Sequence, residues 1–192
     1  MIRRLSFIIF LSLVIICIQL VTVFKPDTDK NISNISAESI LLKDMVIHSA
    51  MNSDVILNDI YITLGKNDVP VRLKDKLDDG CLVFRFYGES CNICVDDIIS
   101  NLKNAFPDYS TNNRLLLLGS NLNQRVLVKY YGKEVLLISN EGIGLPAEEY
   151  NLPLLFYADQ LGISKIAFVP DKAFPELTQG YLNHIKTKYF DY

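Results

Sequence analysis

Two cysteines separated by two residues, Cys91-Asn92-Ile93-Cys94, are the part of this 192-residue chain whose type and spacing most directly permit chemistry. They lie between a dense β-type run, Cys81 to Tyr87, and a stretch with helical spacing that begins near residue 92. A helix N-terminus offers unpaired backbone N–H groups and a partial positive charge, and both stabilise a thiolate. A cysteine at that place is a better nucleophile near neutral pH and a better leaving group in disulfide exchange. Cys91 is thus the expected nucleophile, and Cys94, within the first helical turn, can close a disulfide with it. Other readings of the same residues stay open. A structural zinc site needs a second pair of ligands, and the other candidates are Cys81 and the distant His48 and His184. A purely structural bridge across two residues closes a tiny loop and removes little chain entropy. Two buried, unreactive thiols sit poorly beside Glu89, Ser90 and Asn92, which imply exposure.

The elements that must position this pair follow from the order of apolar runs. Val55–Leu64 and Val69–Leu77 read as strands or strand-plus-turn, and Cys81–Tyr87 as a central strand. Asn92–Phe106 places Val95, Ile98, Ile99, Leu102 and Phe106 at helical spacing and stops at Pro107. Arg114–Gly119 reads as a second buried strand, Asn121–Tyr131 as a helix closed by Gly132, and Glu134–Ser139 as a further strand. Leu154–Ala158 and Lys165–Val169 flank Asp159-Gln160-Leu161-Gly162, a turn signature, and predict a hairpin. Phe174–Phe190 carries Leu177, Tyr181, Leu182, Ile185 and Tyr189 on one face, as a closing helix would. This alternation predicts an α/β fold with a mixed sheet flanked by helices.

Leu5 to Phe24 is a run of twenty residues without a charge. At 1.5 Å per residue it makes about 30 Å of helix, the thickness of a bilayer core. It exceeds the apolar stretch of a cleaved signal, about 7–15 residues, and no small-x-small cleavage site follows. The expectation is an uncleaved anchor over residues 1–24. Arg3 and Arg4 precede it, whereas Lys25 is soon joined by Asp27 and Asp29, which puts the rest of the chain on the extracytoplasmic side of a single-pass membrane protein, periplasmic in a Gram-negative cell. Disulfides persist there. Residues 25–40 are polar, contain Pro26 and show no period, so they read as a linker to a domain over 41–192.

Composition removes several classes. With 19 Lys+Arg against 22 Asp+Glu and no block of like charge, nothing marks a nucleic-acid partner. No repeat of a solenoid, Ser-His-Asp set or phosphate-cradling glycine loop is present; Glu141-Gly142-Ile143-Gly144 lacks the strand–turn–helix setting that such a loop needs.

Residues from about 55 to 190 resemble the membrane-anchored, extracytoplasmic branch of the thioredoxin-like superfamily, the TlpA/redoxin type. The resemblance rests on the strand LVFRFY, the segment ESCNICVDDI, the stretch NLPLLFYADQLGISKIAFVPD and the terminal helix. It implies a thioredoxin-like sheet and a thiol–disulfide oxidoreductase acting on protein dithiols and disulfides, with Cys91 and Cys94 catalytic. It also implies a membrane or extracytoplasmic redox partner and neither cofactor nor metal. It further implies that Pro153 follows a cis peptide bond and that the backbone around Leu152 and Pro153 grips an extended substrate chain. On residues alone, Pro153 also reads as an ordinary trans proline at a strand start. The alternative function is a non-catalytic thioredoxin-like binding module, holding a metal or serving as an interaction domain. Two positions depart from the family pattern. Ser90 stands where a Trp commonly precedes the first cysteine, and Arg85 stands where a buried acid is common. Arg85 cannot relay a proton as a carboxylate does, but a guanidinium nearby would favour a thiolate; the opposing reading is that it faces solvent or pairs with an acid.

Overall fold

The computed structural model describes residues 28–63, 69–90, 92–122, 131–138 and 142–190. The expected anchor, residues 1–24, and most of the helix expected over 121–131 lie outside them. Among the described residues no helix is long and apolar enough to cross a membrane. The chain divides into two compact units, Met1–Leu42 and Lys43–Tyr192.

The first helix, α1 (Thr28–Met51), begins in the first unit and ends in the second. It runs through residues where an irregular linker is expected. Its Asn and Ser content suggests turns, yet it contains no Pro or Gly, and no single residue in it forbids a helix. The rest of the second unit is built on seven strands: β1 (Tyr61–Thr63), β2 (Val71–Arg72), β3 (Cys81–Tyr87), β4 (Leu115–Ser120), β5 (Val135–Ile138), β6 (Leu154–Ala158) and β7 (Ser164–Phe168). They form one sheet in the order β2-β1-β5-β4-β3-β6-β7. β3, β4 and β5 are parallel, and the remaining pairs are antiparallel. Among the described residues the second unit also has helices α2 (Asn92–Ala105) and α3 (Pro175–Tyr189).

β3 lies between β4 and β6 and is buried along its whole length. Its side chains alternate between two cores. Leu82, Phe84 and Phe86 pack with Val95, Ile98, Ile99 and Leu102 of α2 and with Leu182 and Ile185 of α3. Cys81 and Val83 pack on the other face with Leu118, Leu145, Leu154 and Phe156. A strand covered on both faces reads as an unbroken apolar run, and that explains why it is conspicuous in the sequence. The expected strand at 55–64 contracts to β1, with Ile56 making an isolated bridge to Ile163. The one at 69–77 contracts to β2 and a 3-10 turn, Lys74–Lys76.

Edge strand β7 is covered by the end of α1. Ser49 of α1 and Ser53, two residues past its end, accept hydrogen bonds from the N–H groups of Val169, just after β7, and of Ala167 at 3.2 and 2.9 Å. Fully buried Asn52 completes the junction: its Oδ1 accepts from the Ala147 N–H at 2.9 Å, and its carbonyl accepts from the Ser164 hydroxyl at 2.6 Å.

Candidate functional site

The site is built where β3 ends. Tyr87, its last residue, opens a turn in which the Ser90 N–H donates to the Tyr87 carbonyl at 2.9 Å and the Tyr87 N–H donates to Ser90 Oγ at 3.1 Å. The Gly88 N–H reaches the carbonyl of Ser120, the last residue of β4, at 2.8 Å. A Cβ on Gly88 would lie 2.0 Å from the Asn121 carbonyl oxygen, so only glycine lets the two backbones approach this closely. Cys91 lies outside the described residues, but Ser90 before it is fixed by this turn and α2 starts on the residue after it.

Within the first turn of α2, Ile93 is 65% exposed, an unusual place for a large apolar side chain. Cys94 is half-buried and borders a cleft of about 290 Å³ lined by Asp97, Ile98, Asn101, Pro170, Asp171 and Thr178. The buried face of α2 begins at Val95, so packing against the sheet sets which side of the helix Cys94 occupies. Cys81 sits at the opposite end of β3, where its thiol donates to the Lys76 carbonyl. Burial pushes that thiol up to about 11, with Asp79 and Asp78 adding to the effect and Arg114 opposing it. Such a thiol is inert near neutral pH. His184 is exposed, and the His48 ring packs edge-on against Tyr150. Among the described residues no three His, Cys, Asp or Glu side chains cluster as metal ligands would.

Arg85 is only 2% exposed and is committed to partners. Its Nε donates to Glu148 Oε1 at 3.1 Å, Nη1 to the Phe86 and Leu118 carbonyls at 2.9 and 3.4 Å, and Nη2 to Ser120 Oγ at 2.8 Å. The guanidinium also lies over the Tyr87 ring, 4.0 Å from its centroid. Of the two readings of Arg85, pairing with an acid is the one found. Its charge is balanced by Glu148, so it is no isolated cation at the cysteine turn.

Leu152 and Pro153 precede β6, whose Leu154 stands opposite Arg85 on β3. They therefore lie at the end of the sheet from which the cysteine turn departs. The expected cis bond before Pro153 is not found: no peptide bond among the described residues is cis. The chain reverses instead at Asn151, which is left-handed at φ 51° and closes the 3-10 turn Pro146–Tyr150. The Leu152 N–H is tied to the Ala147 carbonyl, and β6 starts from there with the ordinary trans geometry. The substrate grip that the resemblance placed at Leu152 and Pro153 loses the presentation that a cis bond would have provided.

Glu148, Tyr87 and Asn52 escaped sequence reasoning. The available signal for Glu148 was Arg85 itself, because a charge inside an apolar strand requires a buried partner. Nothing in the sequence says which acid supplies it.

No protein-family model matches the sequence, and no curated protein is similar to it by sequence. Solved structures are similar in fold. A thiol:disulfide interchange protein from a Bacteroides species superposes with a TM-score of 0.51 at 11% identity, covering 72% of this chain and 91% of that one. The fold is thioredoxin-like. An electron transport protein, so described provisionally, from Aquifex aeolicus gives a TM-score of 0.50 at 9% identity, over 71% of this chain and 99% of its own. In this thioredoxin-like chain, the Cys-x-x-Cys motif spans the junction between an interior parallel strand and the helix that follows it.

Proposed function

We propose that the protein is a membrane-tethered thiol–disulfide oxidoreductase that acts on exported proteins through Cys91 and Cys94. The observation that carries this reading is the position of the motif: α2 begins at Asn92, directly after Cys91, at the end of β3 in a thioredoxin-like fold. The Cys91 thiolate attacks a substrate disulfide. A mixed disulfide forms, and one substrate sulfur leaves as a thiolate that takes up a proton. Cys94, deprotonated, then attacks the Cys91 sulfur, releases the second substrate thiol and leaves a Cys91–Cys94 disulfide. Two electrons pass to the substrate, and a membrane or extracytoplasmic redox partner restores the dithiol. With an oxidised pair and a reduced substrate the same steps run in reverse. Exposed Ile93 offers an apolar contact to a polypeptide chain beside the reacting sulfurs. Residues 5–24 supply the tether.

Equilibration of the protein with glutathione buffers, with thiols quantified by alkylation, tests the chemistry. The expected result is one reversible two-electron couple that Cys91→Ser abolishes, while Cys94→Ser traps the mixed disulfide with substrate. A bridge that glutathione does not reduce, or stoichiometric copper(I) uptake by the reduced pair without exchange activity, would replace this reading by that of a binding module. Loss of vesicle association on removal of residues 1–24 tests the tether.

A further inference from the structure

The cleft that Cys94 borders continues past the cysteine. Its walls carry Asp97 and Asn101 from α2, Asp171 and Lys172 from the loop before α3, and Thr178 from α3 itself. Cys94, Asp97 and Asn101 recur at the spacing that puts side chains on one face of a helix. From Cys94 to Asn101 the helix rises about 10 Å, the length of roughly three residues of extended chain. Thr178 is only 3% exposed, and among the described residues its hydroxyl has no hydrogen-bond partner. A hydroxyl so placed can donate to, or accept from, the backbone of a chain that enters the cleft. Two carboxylates face one ammonium here, and Lys172 is exposed, so its flexible stem can carry its charge out to solvent. Asp171 is held in place, because its Oδ1 accepts the Ala173 N–H at 2.8 Å.

We infer that this cleft is a substrate subsite: it takes the stretch of polypeptide next to the cysteine that Cys91 attacks, and favours a Lys or Arg there. The inference rests on the exchange reading above. Cys94 must meet the Cys91 sulfur to resolve the mixed disulfide, so a polypeptide held on Cys91 lies at the mouth of this cleft. A basic side chain within about three residues of the reacting cysteine then reaches Asp97 and Asp171. An acidic side chain at the same place meets like charge.

Short peptides with a single cysteine, in disulfide linkage to nitrothiobenzoate, are the probes. They carry Arg, Gln or Glu at successive positions on either side of the cysteine. Mixing each with the reduced full chain gives a second-order rate constant from the nitrothiobenzoate thiolate that Cys91 displaces. Dividing by the constant for the same peptide with glutathione removes the peptide's own reactivity. At one or more positions the Arg peptide reacts about fivefold faster than the Gln peptide and the Glu peptide more slowly, a preference that shrinks as salt is raised. Asp97→Asn with Asp171→Asn keeps both shapes and the acceptor for Ala173, and brings the Arg-to-Gln ratio within about twofold of one. Asp97→Asn alone, at an exposed position, lowers the ratio part of the way and serves if the double variant does not fold. A wild-type ratio within about twofold of one at every position would overturn the inference. So would a faster Glu peptide, which would make Lys172 the deciding charge, or an Arg preference that survives in the variants. A reduced wild-type chain that displaces nitrothiobenzoate from none of the peptides removes the exchange reading itself, whereas reaction without charge preference removes only the subsite.

Discussion

Cys81 and Cys94 share a side chain and differ in everything that controls its reactivity. Cys81 is enclosed at the start of β3, with its thiol on the Lys76 carbonyl, whereas Cys94 is half-buried beside an open cleft. In a Cys17→Ser, Cys91→Ser, Cys94→Ser variant, Cys81 is expected to resist iodoacetamide at pH 8 and to react only once the chain is unfolded. Measurable labelling of the native variant would mean that β3 opens at this end. The same burial has a pH signature. Cys81 loses its proton near 9 in an unfolded chain and at about 11 in the folded one. The folded state therefore holds the proton more tightly, so this contribution to stability is complete below pH 9 and declines as pH rises toward 11. Its size is at most roughly 2–3 kcal/mol. Urea midpoints at pH 8 and pH 10.5 should fall more for the wild type than for Cys81→Ala. At Gly88 the identity is forced by a close backbone approach: Gly88→Ala drives a Cβ into the Asn121 carbonyl and should cost more than about 2 kcal/mol. A urea midpoint that falls at constant m-value is the expected readout.

Junctions between elements depend on polar groups that a hydrophobic pattern does not display. Asn52→Ala removes the acceptor for the buried Ala147 N–H and the side-chain bond to the His48 carbonyl, and should cost about 2–3 kcal/mol. Ser49→Ala with Ser53→Ala uncovers the edge amides of β7. Hydrogen exchange at Val169 and Ala167 should then accelerate while amides of β3 stay protected, and uniform acceleration would show that the serines hold the whole unit rather than its edge. These junctions mark where the sequence could be read and where it could not. β3, β4 and β6 were legible because two covered faces demand unbroken apolar runs, and α2 because its buried residues recur at helical spacing. α1 was not, because the part of it in the second unit has Met45 as its buried hydrophobic residue while Val46, Ile47 and Met51 face outward, so no apolar stripe announces a helix. Of the candidate site, the strand-to-helix setting of the cysteine motif was readable from the sequence. The geometry at Pro153 and the partner of Arg85 were not, since both depend on a 3-10 turn that no periodicity marks.

For the molecule as a whole, the start of the second unit is a matter of contacts rather than composition. The second unit begins at Lys43, inside α1, although the polar stretch of the sequence ends a few residues earlier. Between residues 43 and 53, Met45 is buried, His48 packs on Tyr150, and Ser49, Asn52 and Ser53 hold the turn before β6 and the edge of β7. Residues 43–53 are thus part of the second unit. A chain starting at Lys43 should unfold in one cooperative urea transition and show the same equilibrium constant for Cys91–Cys94 as the full chain. A chain starting at Asp54 leaves the Ala147, Ala167 and Val169 amides without acceptors. At about 1–3 kcal/mol for each buried group, this approaches the whole stability of a small domain. That shorter chain should have no cooperative transition at 25 °C. A cooperative transition in the chain from Asp54, at the same midpoint as in the chain from Lys43, would show that the end of α1 is dispensable and that the sheet with α2 and α3 suffices to present the cysteine pair.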